Sequence, residues 1–524
     1  MNLNRPPVNI LMILDGWGIS DQVDGNAFAQ ANTPFIDSLL NHFPHCKLAC
    51  SGNAVGLPDG TMGNSEVGHM NIGAGRKVPQ DFVRINTAIE DRSFFNIPTL
   101  IETMTQAAKT GQSLHLMGLL SDGGVHSHIS HLFALIEMAK KNKVKNLYIH
   151  PILDGRDTSP TSGITYVQQL ENYIKKHKFG RIASIVGRYW AMDRDTRWDR
   201  VKRAYDLFTI ADKPSLTSAV QAIQEAYDTG KTDEFMEPTC LIDKTLEPAG
   251  VIDDKDSIIF FNFRADRAKE ITRAFTQKDF NEFTRTKSVS LAHFVCMTQY
   301  DETFDLPVAF GPQHLDNILG KILSKNKISQ LRIAETEKYA HVTYFFNGGD
   351  EKIFDLEERI LIPSPRDVAT YDQKPQMSAK IVADTVCKKI ESRQFQFIIL
   401  NFANMDMVGH TGVLEAAIKA CETVDTCVQK VVEAIWKTNG TALVTADHGN
   451  CEQMIAPDGT PHTAHTLNPV RLILAPNRIN NAQTQNDKFE NIVIKDGILG
   501  DIAPTILKIL NIDQPCEMTG TSLI

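Results

Sequence analysis

Short apolar runs that stop at an acid, an asparagine or a histidine recur along these 524 residues. Residues 8–14 lead into Asp15-Gly16, residues 395–400 into Asn401 with Asn404 and Asp406 just beyond, and residues 441–445 into Asp447-His448-Gly449-Asn450. Near-continuous apolar runs of this length read as strands buried on both faces, the kind that make a parallel sheet covered by helices. Segments 377–392 and 414–437 carry apolar residues three and four apart, as helices packed on such a sheet do. Alternating strand and helix predicts an open α/β sheet, whose ligands bind beyond the carboxyl ends of the strands. Asp15, Asp406 and Asp447-His448 would then share one sheet edge despite their separation in sequence.

The middle of the chain repeats this grammar with different chemistry. Residues 113–120 lead into Asp122-Gly123-Gly124-Val125-His126, and residues 145–153 into Asp154-Gly155-Arg156-Asp157. Residues 182–186 lead into Gly187-Arg188, and residues 257–261 into Asn262-Phe263-Arg264. Arginine at these ends, beside acid and histidine, suits a second α/β unit built to hold an anion. Polar, Gly/Pro-bearing stretches near 77–80 and 310–313 set the boundaries: a discontinuous domain of 1–79 and 313–524, with 80–312 inserted.

With 42% hydrophobic and 22% charged residues, the composition is that of a soluble globular protein too long for one core. A formal net charge of −9 argues against a nucleic-acid partner and an anionic membrane surface, so an anionic substrate needs a local basic cluster. The nine cysteines form no C-x-x-C pair and read as reduced thiols of a cytoplasmic protein. The run 8–14 is short, follows Pro6-Pro7 and ends at Asp15 without a small-residue cleavage site, so it reads as a strand rather than a signal peptide.

Ser65 lies in Gly63-Asn64-Ser65-Glu66-Val67-Gly68-His69. A helix beginning near Ser65 would aim free N–H groups and its dipole at an anionic serine and a bound phosphate; the plainer reading is Ser65 as helix N-cap. One serine with dispersed Asp and His residues is the set a two-metal phosphotransfer site requires. The spacing of Asp406 and His410 puts both on one helical face, and Asp447-His448 on a tight turn can serve two neighbouring ions. Singly, each is better read as a turn, cap or loop residue; their concurrence reverses that reading. Between 188 and 200 stand four arginines interleaved with acids, a pattern that a solvated ion-paired helix also gives. With Arg264 and Arg267, Arg188 and Arg194 offer bidentate contacts to a carboxylate and a phosphate, and Asp157 and His126 offer proton transfer.

Over nearly its full length the chain resembles the cofactor-independent (2,3-bisphosphoglycerate-independent) phosphoglycerate mutases of the alkaline phosphatase superfamily. The matching stretches are 14–18, 63–76, 121–128, 154–158, 187–197, 261–267, 334–341, 404–412, 445–452 and 462–469. The resemblance implies an alkaline-phosphatase-like domain carrying an inserted substrate-binding domain. It implies one Mn²⁺ on Asp15, Ser65, Asp447 and His448, and another on Asp406, His410 and His465, the last preferred to His462. Zn²⁺ or Mg²⁺ also suits such Asp/His ligands, and no bisphosphoglycerate is needed. His126, Arg156, Asp157, Arg188, Arg194, Arg264 and Arg267 would grip the phosphoglycerate, with Lys338 near the phosphoryl group. Ser65 would take the phosphoryl group from 3-phosphoglycerate and return it to the other hydroxyl, giving 2-phosphoglycerate, with Asp157 as acid and then base. A monomer whose domains close by a hinge is the family expectation. Pro79, before Gln80-Asp81, departs from the aromatic residue often found there and would stiffen the linker. A metal-dependent phosphatase or another phosphomutase is the alternative enzyme, but it would have no need of arginines that retain glycerate. A silent metal-binding scaffold would have lost a ligand or Ser65, and none is missing.

Overall fold

The computed structural model describes residues 6–211, 214–215, 218–242, 247–477 and 493–524. The chain divides into two compact units, one made of Met1–Gln80 and His314–Ile524, the other of Asp81–Gln313.

The first unit is built on an eight-stranded sheet in the order Glu357–Ile362, Gln330–Glu335, Phe397–Phe402, Asn9–Leu14, Thr441–Thr445, Val470–Pro476, His45–Ala49, Gly497–Ile498. The first five strands are parallel, and Val470–Pro476 runs antiparallel to both of its neighbours. Every residue of Asn9–Leu14, Phe397–Phe402 and Thr441–Thr445 is buried, so helices cover both faces and each strand can be apolar throughout. The 23-residue helix Leu414–Trp436 supplies much of that cover through Ala417, Val424, Val428 and Val431.

Strand Phe397–Phe402 starts and ends two residues later than the apolar run 395–400. Its backbone pairs with Asn9–Leu14 through Phe402, which carries Asn401 into the sheet as a polar strand residue.

The second unit has a sheet in the order Val308–Phe310, His293–Thr298, Ser257–Phe260, Ser113–Leu120, Asn146–Leu153, Ser184–Gly187, Thr239–Leu241, Pro214–Ser215. The chain steps outward from Ser113–Leu120 through Asn146–Leu153 to Ser184–Gly187, then returns to the other side of Ser113–Leu120 at Ser257–Phe260. That reversal opens a crevice at the carboxyl ends of the strands. The run 182–186 is not one strand. Ile182 pairs with Ile149 and Val186 with Ile152, so four steps on one strand match three on the other, a bulge that divides it into Arg181–Ile182 and Ser184–Gly187.

A polar chain crosses the interior of this sheet. His150 Nδ1 lies 2.8 Å from Ser184 Oγ, His150 Nε2 2.9 Å from His115 Nδ1, and His115 Nε2 3.2 Å from Asp256 Oδ2. Two neutral imidazoles satisfy all three contacts when Ser184 donates to His150, His150 to His115 and His115 to Asp256. Nearby in sequence, buried His131 contacts Asn86 Oδ1 at 2.8 Å. Burial, then His128, pushes His131 down to about 3; burial, then His115, holds His150 well below the usual histidine range. The unfolded chain takes up these protons near pH 6.5 and the folded unit refuses them. Stability is therefore full above about pH 6.5 and falls as pH drops, by up to about 1.4 kcal/mol per pH unit for each group. Urea midpoints, read from Trp190 and Trp198 in a Trp17→Phe/Trp436→Phe chain, are expected to fall between pH 7 and pH 5, less steeply after His131→Leu. A midpoint indifferent to pH would count against this account.

Candidate functional site

Four neighbouring parallel strands of the first unit end in the residues that matter. Asp15 directly follows Asn9–Leu14, and Asp447 lies two residues past Thr441–Thr445. Asp406 sits in the short helix Asn404–Gly409 after Phe397–Phe402, and Lys338 in the helix Thr336–Ala340 after Gln330–Glu335. Parallel strands place all these ends on one edge.

Ser65 reaches that edge as the first residue of the helix Ser65–Ala74. Asn64, not Ser65, is the N-cap: its side chain accepts from Val67 N at 2.9 Å, which leaves the Ser65 hydroxyl free for other partners. Lys338 Nζ donates to Ser65 Oγ (2.6 Å), Asp15 Oδ1 (2.8 Å) and Asp406 Oδ2 (2.7 Å). Ser65 Oγ in turn donates to Asp15 Oδ1 at 3.2 Å and lies 2.9 Å from His448 Nε2. On the far side of Asp15, Asn401 Nδ2 donates to Oδ2 at 2.7 Å.

His410 and His465 complete the cluster. Each places Nε2 3.2 Å from Asp406 Oδ1, and the two Nε2 atoms are 3.0 Å apart. Their Nδ1 atoms are occupied by backbone carbonyls, Thr463 O at 2.7 Å and Gly63 O at 2.8 Å. Nδ1–H donation to a carbonyl leaves a lone pair on Nε2, so two lone pairs and a carboxylate oxygen converge on one point. Asp447 Oδ2 is buried with no hydrogen-bond partner among the described residues, although His69 Nδ1 lies 3.1 Å away; that nitrogen is already 2.8 Å from Ser65 O. Asp406, His448 and His465 form one group able to hold a cation, and Asp15, His69 and Asp447 another. Burial opposes ionisation of Asp15 and Asp406, yet Lys338 and the imidazoles hold both well below the carboxylate range. Against the same penalty, Asp447, Asp15 and Asp406 push His448 up to about 10. Three buried acids face Lys338 and the protonated His448, so negative charge is still in excess and the centre attracts further positive charge.

Glycine in this motif answers to space as well as to turns. A Cβ on Gly68 would lie 2.8 Å from Asp447 Cβ and O, and one on Gly73 2.0 Å from Phe346 O.

In the second unit the arginines gather as well. Buried Arg188 donates through Nη1 to Asp154 Oδ1 and Asp157 Oδ2, both at 2.6 Å. Arg194 Nη1 donates to Asp266 Oδ2 at 3.0 Å, and Arg264 Nε lies 3.1 Å from Asp266 Oδ1. A cavity of about 300 Å³ is lined by Arg156, Arg188, Arg194, Arg197, Arg200 and Arg267, with Asp193, Asp195 and Glu234 among them. His126, Asp157 and Arg264 do not line it; they join it through Arg188 and Asp266. Burial, then Arg188 and Arg194, pulls Arg267 below the usual arginine range.

Sequence reasoning passed over His69, Asn401, Asn450 and Asp266. Asn450 Nδ2 donates to Asp406 Oδ1 at 2.9 Å. Asn401 and Asn450 carried the available signal, a polar residue at the end of an apolar run.

Gly68→Ala is expected to destabilise the fold by about 1–3 kcal/mol and to weaken divalent-cation binding at least about tenfold. Titration calorimetry with Mn²⁺ and denaturant unfolding check both, and unchanged affinity would separate Gly68 from the Asp447 side.

A family model described as "BPG-independent PGAM N-terminus" matches residues 85–302, inside the second unit. The chain is 53% identical over 521 residues to a 2,3-bisphosphoglycerate-independent phosphoglycerate mutase of Syntrophotalea carbinolica, covering 99% of this chain and 98% of the relative. To the enzyme numbered 2 of that name in Methanosarcina acetivorans it is 53% identical, covering 100% of this chain and 98% of the relative. Among solved structures, Leishmania mexicana phosphoglycerate mutase at low cobalt concentration superposes with a TM-score of 0.64 at 32% identity, covering 100% of this chain and 98% of that one. Identity at this level, sustained from end to end, means that the chain belongs to the 2,3-bisphosphoglycerate-independent phosphoglycerate mutase family.

Proposed function

We propose that this chain interconverts 3-phosphoglycerate and 2-phosphoglycerate through a phosphoserine on Ser65, at a two-metal site and without bisphosphoglycerate. The observation that carries the reading is Ser65 Oγ at the N-terminus of its helix, within 3.2 Å of Lys338 Nζ, His448 Nε2 and Asp15 Oδ1. Asp15, Ser65, Asp447 and His448 would hold one divalent cation, and Asp406, His410 and His465 the other. The donor set fits: three buried carboxylates, two imidazole lone pairs turned toward Asp406, and an unpartnered Asp447 oxygen. Histidine with carboxylate favours Mn²⁺ or Zn²⁺ over Mg²⁺, and between these two the family resemblance implies Mn²⁺. When bound, such cations lower the pKa of the serine hydroxyl and offset charge on the transferring phosphoryl group.

The chain's own residues supply the rest. His126, Arg156, Asp157, Arg188, Arg194, Arg264 and Arg267 bind the glycerate moiety, the guanidiniums taking its carboxylate and phosphate. Ser65 Oγ, entering as the alkoxide that bound cations would favour and leaving as the same alkoxide, attacks phosphorus, the bond to the substrate O3 breaks, and Asp157, protonated at this stage, gives that oxygen its proton. Asp157 then removes the proton from the O2 hydroxyl, which attacks the phosphoserine and breaks the bond to Oγ. Lys338 stabilises charge on the phosphoryl oxygens in both halves. The arginines keep glycerate in place between the halves, and exclusion of water separates a mutase from a phosphatase. The substrate is a small molecule, and no helix among the described residues is long and apolar enough to cross a membrane.

Metal-loaded protein given 3-phosphoglycerate, with no bisphosphoglycerate present, is expected to yield 2-phosphoglycerate and little free phosphate; Ser65→Ala is expected to yield neither. Phosphate alone would identify a phosphatase, and no product with Mn²⁺, Zn²⁺ or Mg²⁺ would remove the enzymatic reading. Chelation is expected to abolish turnover. Ligation by carboxylate and imidazole also predicts a steep loss of bound metal and activity at mildly acid pH, which metal analysis alongside the assay checks.

A further inference from the structure

His126 stands between two carboxylates. Its Nε2 lies 3.9 Å from Asp157 Oδ2, and its Nδ1 lies 3.7 Å from Asp266 Oδ1. Both separations are too long for hydrogen bonds. His126 Nδ1 and Asp266 Oδ1 are each buried, and each is without a hydrogen-bond partner among the described residues. Two unsatisfied polar atoms thus face one another across a gap that a movement of under an ångström would close. Leaving such atoms unpaired is unfavourable, so something holds Asp266 back.

The arginines do. Asp266 Oδ2 accepts from Arg194 Nη1 at 3.0 Å and Arg264 Nη2 at 3.3 Å, while Arg264 Nε draws on Oδ1 from 3.1 Å without hydrogen-bond geometry. Arg194 and Arg264 are about half exposed, so their guanidiniums can turn toward an incoming anion. His126 is 3% exposed and cannot follow them.

We propose that Asp266 is a positioning residue that changes partners when an anion enters the arginine cavity. The anion takes Arg194 and Arg264, and the freed carboxylate accepts a hydrogen bond from His126 Nδ1–H. The imidazole is then fixed with Nε2 facing Asp157 and the substrate. This rests on the phosphoglycerate reading of the cavity and deepens it, since binding of the anion would itself ready the acid–base pair. The groups facing His126 are Arg188 and Arg264, which lower its proton affinity, and Asp266 and Asp157, which raise it; burial, then Arg188, holds it down at about 4. Drawing Arg264 away and bringing Asp266 nearer both act upward, toward the range where an imidazole exchanges protons with a substrate hydroxyl. A different role for Asp266, as mere counter-charge to the arginines, predicts the opposite: its removal would tighten anion binding and leave turnover alone.

The test uses the full chain with isotope-labelled histidine and arginine, titrated by NMR with and without saturating inorganic phosphate. The His126 pKa is expected to rise on phosphate binding in the parent and not in Asp266→Asn. Asp266→Asn is also expected to lower kcat at least about tenfold with little change in KM, and Asp266→Glu to recover part of the loss. A phosphate-induced rise that survives in Asp266→Asn, or a lower KM with unchanged kcat, would overturn the partner exchange. Phosphate that moves the Arg194 and Arg264 signals but not His126 overturns the exchange alone. Phosphate that moves none of the three overturns the substrate reading of the cavity as well.

Discussion

Lys338 donates to Asp15, Ser65 and Asp406 at once, and the first unit is organised around that contact. Ionised carboxylates taken out of water repel one another and lose their hydration, a cost of several kcal/mol per ion unless positive charge is brought in with them. Lys338 is itself 3% exposed, so neither side of the contact is relieved by solvent. The sheet makes the arrangement possible. Four adjacent parallel strands present their carboxyl ends together, so an acid or a lysine just past each one converges on a common point. Ser65 enters from outside the sheet, and its helix approaches closely enough only because Gly68 and Gly73 leave room for Asp447 and Phe346.

Where one kind of interaction dominates, the sequence was legible. Strands Thr441–Thr445 and Ser113–Leu120 coincide with their apolar runs because both are buried along almost their whole length. The run 395–400 misleads by two residues, since Asn401 is polar yet finds Asp15 and His69 inside the protein. The bulge after Ile182 leaves no mark in composition; both halves pair with Asn146–Leu153, and the extra residue shows only in the register. Asn64 and Ser65 are both good N-caps by type, and only the hydrogen bond to Val67 N decides between them. Asp266 was hidden for another reason. An acid between two arginines reads as charge cancellation, and nothing in the one-dimensional pattern reveals a histidine on its other side.

The acids of the second unit bear on binding. Six arginines around about 300 Å³ would repel one another and resist folding without counter-charge. Asp154, Asp157, Asp193, Asp195, Glu234 and Asp266 supply it, each within 3.5 Å of at least one arginine nitrogen. A net charge of −9 over the chain is therefore compatible with a cluster of arginines, because five of the six are ion-paired before any ligand arrives, and Arg267 donates to Met192 O.

Such pairing also governs how the cavity takes up an anion. An anion entering this cavity does not meet bare guanidiniums; it competes with carboxylates for them. Part of the attraction is used to displace aspartates, so a bound anion is held less tightly than six arginines would suggest. If the anion is the proposed phosphoglycerate, interactions that strengthen only as charge moves toward the transferring oxygens then favour the transition state over the bound substrate. On the proposed mutase reading, a displaced aspartate is also a base set free beside the substrate. Asp157, paired to Arg188, and Asp266, paired to Arg194 and Arg264, flank His126 on opposite sides. Counter-charge for folding and proton handling for catalysis can thus reside in the same carboxylates, with ligand occupancy deciding which role each one plays.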